Sequence, residues 1–206
     1  DRKNNNHILF CDLPDCDIVV HLAARTGVRQ SLLDHQDYWQ VNVEGSKRIL
    51  SHYHNKRVLV ASSSSQYEPH LNPYAASKHV METIPHDNVC WMRFHTVYSS
   101  EPRSGMFFDK LFNKELEYVT THERDFIHVD DICRAVELLL EHSFTGPLDV
   151  GTGKTIKISD ICPTLPIKNN TPHERIKTKA DITILSSFGF VPSVDIEEFI
   201  ANNIRR

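Results

Sequence analysis

Nothing in this chain of 206 residues approaches the roughly 18 consecutive apolar residues that a membrane-crossing helix needs. The start, Asp1-Arg-Lys-Asn-Asn-Asn6, is polar and lacks both the apolar core of a secretory signal and an initiator Met, so an N-terminal piece is expected to precede it. An excess of positive charge is lacking as well. Lys and Arg number 23 against 27 Asp and Glu, for a formal net charge of −4 and no dense basic run. That balance argues against nucleic acid or an anionic membrane as partner and favours a small soluble ligand. Cys-x-x-Cys pairs are absent. The five cysteines, Cys11, Cys16, Cys90, Cys133 and Cys162, are odd in number and scattered through apolar stretches. They read as reduced, mostly buried thiols of a cytoplasmic protein. The 13 histidines do not supply a metal site, because His52 and His54, two apart on a helix, point to different faces. With no internal repeat or low-complexity linker, a chain of this length at 40% hydrophobic content reads as one substantial core with at most a small appended lobe.

Several short apolar runs fit buried parallel strands: Ile8 to Cys11, Asp17 to Leu22, Arg57 to Ala61 and Val89 to Phe94. Helix-like segments lie between them, at Asp37 to Leu50 and at Tyr74 to Thr83, the second ending before Pro85. Further helices are expected at Gly105 to Asn113, Asp130 to Glu141 and around Val194 to Asn203, with a strand at Leu148 to Val150 and a brief helix capped by Ser159 or Asp160. Strands alternating with helices give an α/β parallel sheet with right-handed crossovers.

The serine run Ser62 to Ser65 closes the third of these apolar runs and is followed by Tyr74-Ala-Ala-Ser-Lys78. Four residues apart on a helix, the tyrosine and lysine share one face, where the ammonium can lower the phenol's pKa, which is the layout of a proton-transfer site. Such spacing also arises on solvated helix faces, so the neighbouring segments decide.

In order along the chain stand Asp17-Ile-Val-Val-His-Leu-Ala-Ala24, the Asn42 helix, Val58 to Tyr67, Tyr74 to Lys78, Arg93-Phe-His-Thr-Val-Tyr98 and Arg124-Asp-Phe-Ile-His-Val-Asp-Asp131. Later come Leu148-Asp-Val-Gly-Thr-Gly153 and Lys179-Ala-Asp-Ile182 with Phe188-Gly-Phe-Val-Pro192. Together they resemble the extended short-chain dehydrogenase/reductase family of nucleotide-sugar epimerases and dehydratases. His21-Leu-Ala-Ala-Arg-Thr-Gly-Val-Arg29 and Thr96-Val-Tyr98 look most like its UDP-glucuronate 4-epimerase branch.

The resemblance implies a Rossmann-like parallel sheet flanked by helices, formed by 1–98 with 124–150, and a small C-terminal α/β substrate lobe formed by 99–123 with 151–206. It implies NAD as cofactor, a UDP-sugar as substrate and an NAD-dependent 4-epimerase that transiently oxidises C4 of the sugar. Tyr74 would be the base and later the acid, Lys78 would stabilise the phenolate and hold the nicotinamide ribose, and Ser63 would hydrogen-bond the sugar oxygen. A phenol of pKa near 10 is useless at neutral pH unless shifted by several units, so the ammonium and the cationic nicotinamide are both needed. Asp12 and Leu13 would lie along the adenine, Leu22, Ala23 and Ala24 where the dinucleotide passes, and Asp1 near the adenosine ribose. Asn42 would support the site. Ser64 and Ser65, Thr96, Arg103 and Arg124 would meet the substrate, the arginines through bidentate donation to its diphosphate. An ion pair with Asp125 or Asp130 is the alternative for Arg124. Serines at 64 and 65, where dehydratases and decarboxylases carry acids, favour epimerisation or ketone reduction.

The family's Gly-x-x-Gly-x-x-Gly turn, which brings a helix N-terminus against the pyrophosphate, is nowhere in these residues, so the first βα unit is read as absent and its neighbouring strand as exposed. Only 11 positions lead from Ser63 to Tyr74, the helix after Tyr74 is short, and Glu68 and Ser99 replace the usual glycines. A homodimer through the Asn42 and Tyr74 helices stays open, as do a catalytically silent binding or scaffold protein and an NAD(P)H-dependent reductase. Gly151-Thr-Gly-Lys-Thr155 resembles the end of a P-loop, but position 148 is Leu and no long helix follows.

Overall fold

The computed structural model describes residues 7–204, so Asp1 lies outside the described residues. In chain order it contains β1 (Ile18–His21), α1 (Val28–Ser31), α2 (His35–Trp39), a π-helical turn (Gln40–Glu44), α3 (Gly45–His52), β2 (Arg57–Ser63), a 3-10 turn (Ser64–Tyr67), α4 (Pro73–Met81), β3 (Val89–Phe94) and β4 (Thr96–Tyr98). There follow α5 (Phe107–Phe112), β5 (Glu123–Arg124), β6 (Phe126–His128), α6 (Val129–Glu141), β7 (Gly146–Val150), β8 (Ile156–Lys157), α7 (Ile158–Ile161), α8 (Thr183–Ser187) and α9 (Ile196–Ile204). Two compact units result. One holds the residues up to Arg93 with Ser143–Leu148 and Pro172–Arg175, and the other holds Phe94–His142, Asp149–Thr171 and the residues from Ile176 on.

The first unit is built on a four-stranded sheet of order β1-β2-β3-β7, with β1 and β2 parallel and Ile18 opposite Arg57, His21 opposite Val60. Two-residue periodicity puts Val58 and Val60 of β2 and Val89 and Trp91 of β3 on one face. Ile49 and Leu50 of α3, Tyr53 just after it and Met81 of α4 close over it. This Rossmann-like α/β arrangement is the one expected. β1 is the edge of the described sheet, and Ile18 and Val20 are each 39% exposed, as the reading of an uncovered first neighbour required.

Two expectations need correction. Residues 8–11 form a turn instead of a strand. The N–H groups of Phe10 and Cys11 both donate to His7 O, at 2.9 and 2.8 Å, and Arg48 donates to Ile8 O and Cys11 O. Four apolar residues have no periodicity of their own, and here only Ile8 serves as a cover: a Cβ on Gly45 would lie 2.9 Å from Ile8 Cγ2, while Phe10 is 80% exposed. The cysteines are all free, but only Cys90 is buried, its thiol pushed up to about 12 by burial, and Cys133 is exposed.

The second unit is held by short elements and aromatic rings. β4 and β6 are parallel, Thr96 opposite Phe126, and β5 and β8 antiparallel, Arg124 opposite Ile156. Tyr98, Phe108 and Phe126 form the buried cluster, with Phe199 of α9 4.8 Å from Tyr98, centroid to centroid, and edge-on. Two buried carboxylates tie its loops. Asp125 accepts from the backbone of Thr152, Gly153 and Ala180 and from the Thr152 hydroxyl, and Asp131 accepts from Ser193, Val194 and Arg134.

Candidate active site

β2 runs fully buried from Val58 to Ser63, and the chain then tightens into the 3-10 turn at the buried Ser64. Ser63 is extended (φ −150°, ψ 146°), and its Oγ caps the turn by accepting from Ser65 N at 3.2 Å. α4 starts sharply. Asn72 accepts from Ala75 N at 2.8 Å, and Pro73, whose missing N–H costs nothing at a helix start, takes the first position. Tyr74 and Lys78 therefore sit one turn apart on the same face of α4, and both are buried.

Lys78 is 2% exposed, and its Nζ donates to Ala61 O at 2.6 Å, near the carboxyl end of β2. Burial lowers its pKa from 10.5 to about 7, with Glu82 acting in the opposite direction. The Tyr74 ring meets Tyr38 edge-on at 6.1 Å, and the Tyr38 hydroxyl lies 2.8 Å from Thr26 O and 2.9 Å from Gly27 O. Asn42 is fully buried rather than solvated. It sits in the π-helical turn, where one extra residue per turn rotates a side chain out of helical register. Its amide spans three groups: Oδ1 accepts from Arg25 N at 2.7 Å, and Nδ2 donates to Arg25 O at 3.0 Å and to Ser77 Oγ at 2.9 Å. Ser77 in turn donates to Tyr74 O, so Asn42 ties the loop after β1 to the helix of Tyr74 and Lys78. His21, at the end of β1, lies 3.2 Å from Ser46 Oγ, and burial, aided by the Lys78 charge, lowers its pKa to about 4.

Ser63, Tyr74, Lys78 and Asn42 are thus gathered by β2, α4 and the π-helical turn, with Ser64 buried and Ser65 half-buried beside them. Leu22 is 58% exposed, Ala23 exposed and Ala24 half-buried, leaving an apolar surface at the carboxyl end of β1. Asp12 and Leu13 are not brought there: Asp12 is exposed, and Leu13 packs against the cluster of Ile49, Leu50 and Tyr53. Thr96, Arg103 and Arg124 belong to the second unit. Thr96 N donates to Asp125 O at 2.9 Å, and Arg103 is exposed with a guanidinium nitrogen 3.5 Å from Met106 Sδ. Arg124 donates to Glu123 O and Ile176 O and lies 3.1 Å from His122 Nδ1, while the Asp125 carboxylate is taken up by Thr152, Gly153 and Ala180.

Residues 1–151 match the family described as "NAD dependent epimerase/dehydratase family". The chain belongs to this family. A UDP-glucuronate 4-epimerase of Thermodesulfobacterium geofontis is 29% identical over 174 residues, covering 69% of this chain and 54% of that protein. The structure of MoeE5 in complex with UDP-glucuronic acid and NAD is 28% identical with a TM-score of 0.78, covering 92% of this chain and 78% of the other. The UDP-glucuronic acid 4-epimerase of Bacillus cereus, in complex with UDP-glucuronic acid and NAD, shares the fold at 24% identity and a TM-score of 0.79, covering 92% of this chain and 74% of the other. The chain spans about half the length of several curated relatives it matches, 47%, 54% and 46%.

In this epimerase/dehydratase chain the P-loop-like segment has no anion cradle, since the N–H groups of Thr152 and Gly153 are both bonded to Asp125 at 2.8 Å. Glu68, in place of a glycine, adopts φ −128° and ψ 68°, with a negative φ, so the turn does not require glycine there. Sequence reasoning missed the polar groups that brace the site. Glu82, one turn after Lys78, takes the Ser62 hydroxyl and a bidentate fork from Arg93, whose other arm reaches the Tyr67 hydroxyl at 2.9 Å. The Asn72-Pro73 dipeptide was a readable helix start. Arg93 reaches across 11 positions and Arg175 across more than 100, which no local signal reveals. Among the described residues no three His, Cys, Asp or Glu side chains converge to hold a metal ion, and no helix is long and apolar enough to cross a membrane.

Proposed function

We propose that the chain is an NAD-dependent nucleotide-sugar 4-epimerase of the UDP-glucuronate and UDP-hexose class. The observation that carries this reading is Lys78. Its ammonium is buried one turn from Tyr74, near the strand end where ligands of open α/β sheets sit, and only its bond to Ala61 O engages it among the described residues. Two of its three N–H groups thus remain to meet ribose hydroxyls, and the exposed Leu22, Ala23 and Ala24 surface suits a dinucleotide passing the end of β1, so the residues present fit NAD. When bound, NAD supplies the acceptance of a hydride from C4 of the sugar and its return.

The chain's own residues do the rest. Tyr74, as phenolate, removes the proton of the C4 hydroxyl and later gives it back. Lys78, when protonated, stabilises that phenolate and orients the ribose. Ser63 donates to the sugar oxygen; its Oγ accepts from Ser65 N, which leaves its proton for that task. Ser64 and Ser65 carry no carboxylate to pull out water or carbon dioxide, which supports epimerisation over those losses. Thr96, Arg103 and Arg124 are proposed to meet the nucleotide and its diphosphate. The same reading carries a homodimer through α3 and α4, which light scattering of the chain checks.

Calorimetric titration of the chain with NAD, with and without UDP-glucuronate, tests the assignment. Micromolar binding of NAD followed by interconversion of UDP-sugar epimers is expected. Absence of NAD binding would sink the cofactor assignment, and binding without interconversion would sink the reaction.

A further inference from the structure

We infer that Arg175 is a positioning residue that sets the serine turn, with Glu68 as its matched partner. The inference rests on the role proposed for Ser63. Pro172–Arg175 belongs to the first unit, although Thr171 before it and Ile176 after it belong to the second. These four residues run as a strap along the segment that joins Ser63 to Tyr74. The Asn72 amide, which caps α4 through its Oδ1, donates through its Nδ2 to His173 O at 3.0 Å, and His173 Nδ1 lies 3.1 Å from Leu71 O. Glu174 is 3.6 Å from Arg29.

Arg175 makes the decisive contacts. It donates to the Glu68 carboxylate at 3.0 Å and to Ser64 O at 2.8 Å, and its Cζ lies 5.5 Å from the centroid of the Tyr67 ring, which Arg93 approaches at 4.8 Å. One planar guanidinium thus grips the first residue of the 3-10 turn and the residue that closes it. The turn needs such a grip. A 3-10 turn of four residues has poor internal hydrogen-bond geometry, and Glu68 N to Ser65 O, at 3.2 Å, is a long closing bond. Ser63 is the residue that leads into it, so any rotation of the Ser64 peptide turns the Ser63 hydroxyl.

Glu68 is therefore more than a tolerated replacement of glycine. Its carboxylate gives Arg175 an anionic anchor, and the rigid fork of arginine can hold carboxylate and carbonyl together where a lysine ammonium is not preset to do so. The same strap holds Asn72, so the two elements that carry Ser63 and Tyr74 are braced by one piece of chain from the C-terminal third of the sequence.

The test compares Arg175→Ala, Arg175→Lys and Glu68→Gln in the full chain by amide hydrogen exchange, thermal midpoint and UDP-sugar kinetics with NAD. For Arg175→Ala we expect exchange at 64–68 to quicken at least about tenfold with β2 unaffected, and kcat to fall on the order of 10- to 100-fold with KM within about twofold. Arg175→Lys should recover part of both, which a merely structural loss would not show. Exchange at 64–68 within about twofold of the parent chain overturns the inference. So does a rise in KM at constant kcat, which would make Arg175 a substrate contact. If Arg175→Ala fails to fold, Glu68→Gln decides by the same two readouts. If the parent chain shows no turnover, the proposed function falls, and the exchange measurement still decides whether Arg175 holds the turn.

Discussion

The two units bury charge in opposite ways. In the second, the Asp125 carboxylate, 0% exposed, receives four donors between 2.8 and 3.0 Å, from Thr152 N and Oγ1, Gly153 N and Ala180 N. Asp131 is held likewise: burial pushes its pKa up, but Arg134 and the donors of Ser193 and Val194 prevail and keep it below the ordinary value. In the first, Lys78 is as deeply buried yet gives one hydrogen bond, to Ala61 O, and burial brings its pKa down to about 7. A buried charge that is fully paired acts as a staple between loops. One left with spare donors at the end of a strand lowers stability, which fits the ligand-binding role proposed for Lys78. The cores differ too: mostly aliphatic side chains, with Tyr53 and Trp91, against a sheet in the first unit, and a cluster of aromatic rings under short strands in the second.

The sharpest break in that contrast is Tyr74→Phe. It should lower turnover by on the order of 10²- to 10⁴-fold while leaving the thermal midpoint and UDP-sugar affinity nearly unchanged, and an equal loss of binding would count against the base assignment. Asp125→Ala should do the reverse. Four donors, the buried Ala180 N among them, lose their acceptor, so urea denaturation should show a loss of about 3–5 kcal/mol. A loss under about 1 kcal/mol would mean that Asp125 is no staple.

Lys78→Met should abolish turnover and yet stabilise the fold at pH 6, by about 1–3 kcal/mol. Between about 7 and the ordinary 10.5 the unfolded chain holds the extra proton, so the parent's stability should rise with pH through that window, with the full burial cost present below it. The variant should lose this slope, and denaturation midpoints at pH 6, 8 and 10 check it. His21 adds a second window: with its pKa lowered from 6.5 to about 4, the unfolded chain is protonated first, and stability should fall as the pH drops through that range. The smallest effect is expected at Gly45→Ala. The new methyl meets the β-branched Cγ2 of Ile8 at 2.9 Å, so Ile8 must shift, and the gain in helix propensity offsets most of that cost; the stability should fall by no more than about 1 kcal/mol.

Much of the first unit was legible because its signals are local. The apolar runs from Arg57 and from Val89 became β2 and β3, and in the second unit the helix expected from Asp130 became α6, since period and capping residues suffice there. The Ser63, Tyr74 and Lys78 grouping was legible for the same reason, each lying at the end of β2 or on the first turns of α4. The helix expected over Asp37 to Leu50 formed with a π-helical turn at its centre, because the buried Asn42 amide finds Arg25 and Ser77 only after the chain has folded. Ile8 to Cys11 forms a turn closed by His7 O instead of a strand, with Ile8 packed over Gly45 and Phe10 left exposed. Asp12 and Leu13 were placed by resemblance, and the structure shows Asp12 exposed and Leu13 partly buried against the core.

By itself the sequence determined the α/β class, the family and the face of α4 that carries Tyr74 and Lys78, since these follow from periodicity, capping and motif order within a few turns of chain. Only the tertiary structure decided that Lys78 is buried with donors to spare, that Asp125 closes the P-loop-like turn, and that Arg175 grips the serine turn. Those outcomes depend on desolvation and on contacts between residues up to 111 positions apart, and neither is written in any short stretch of sequence.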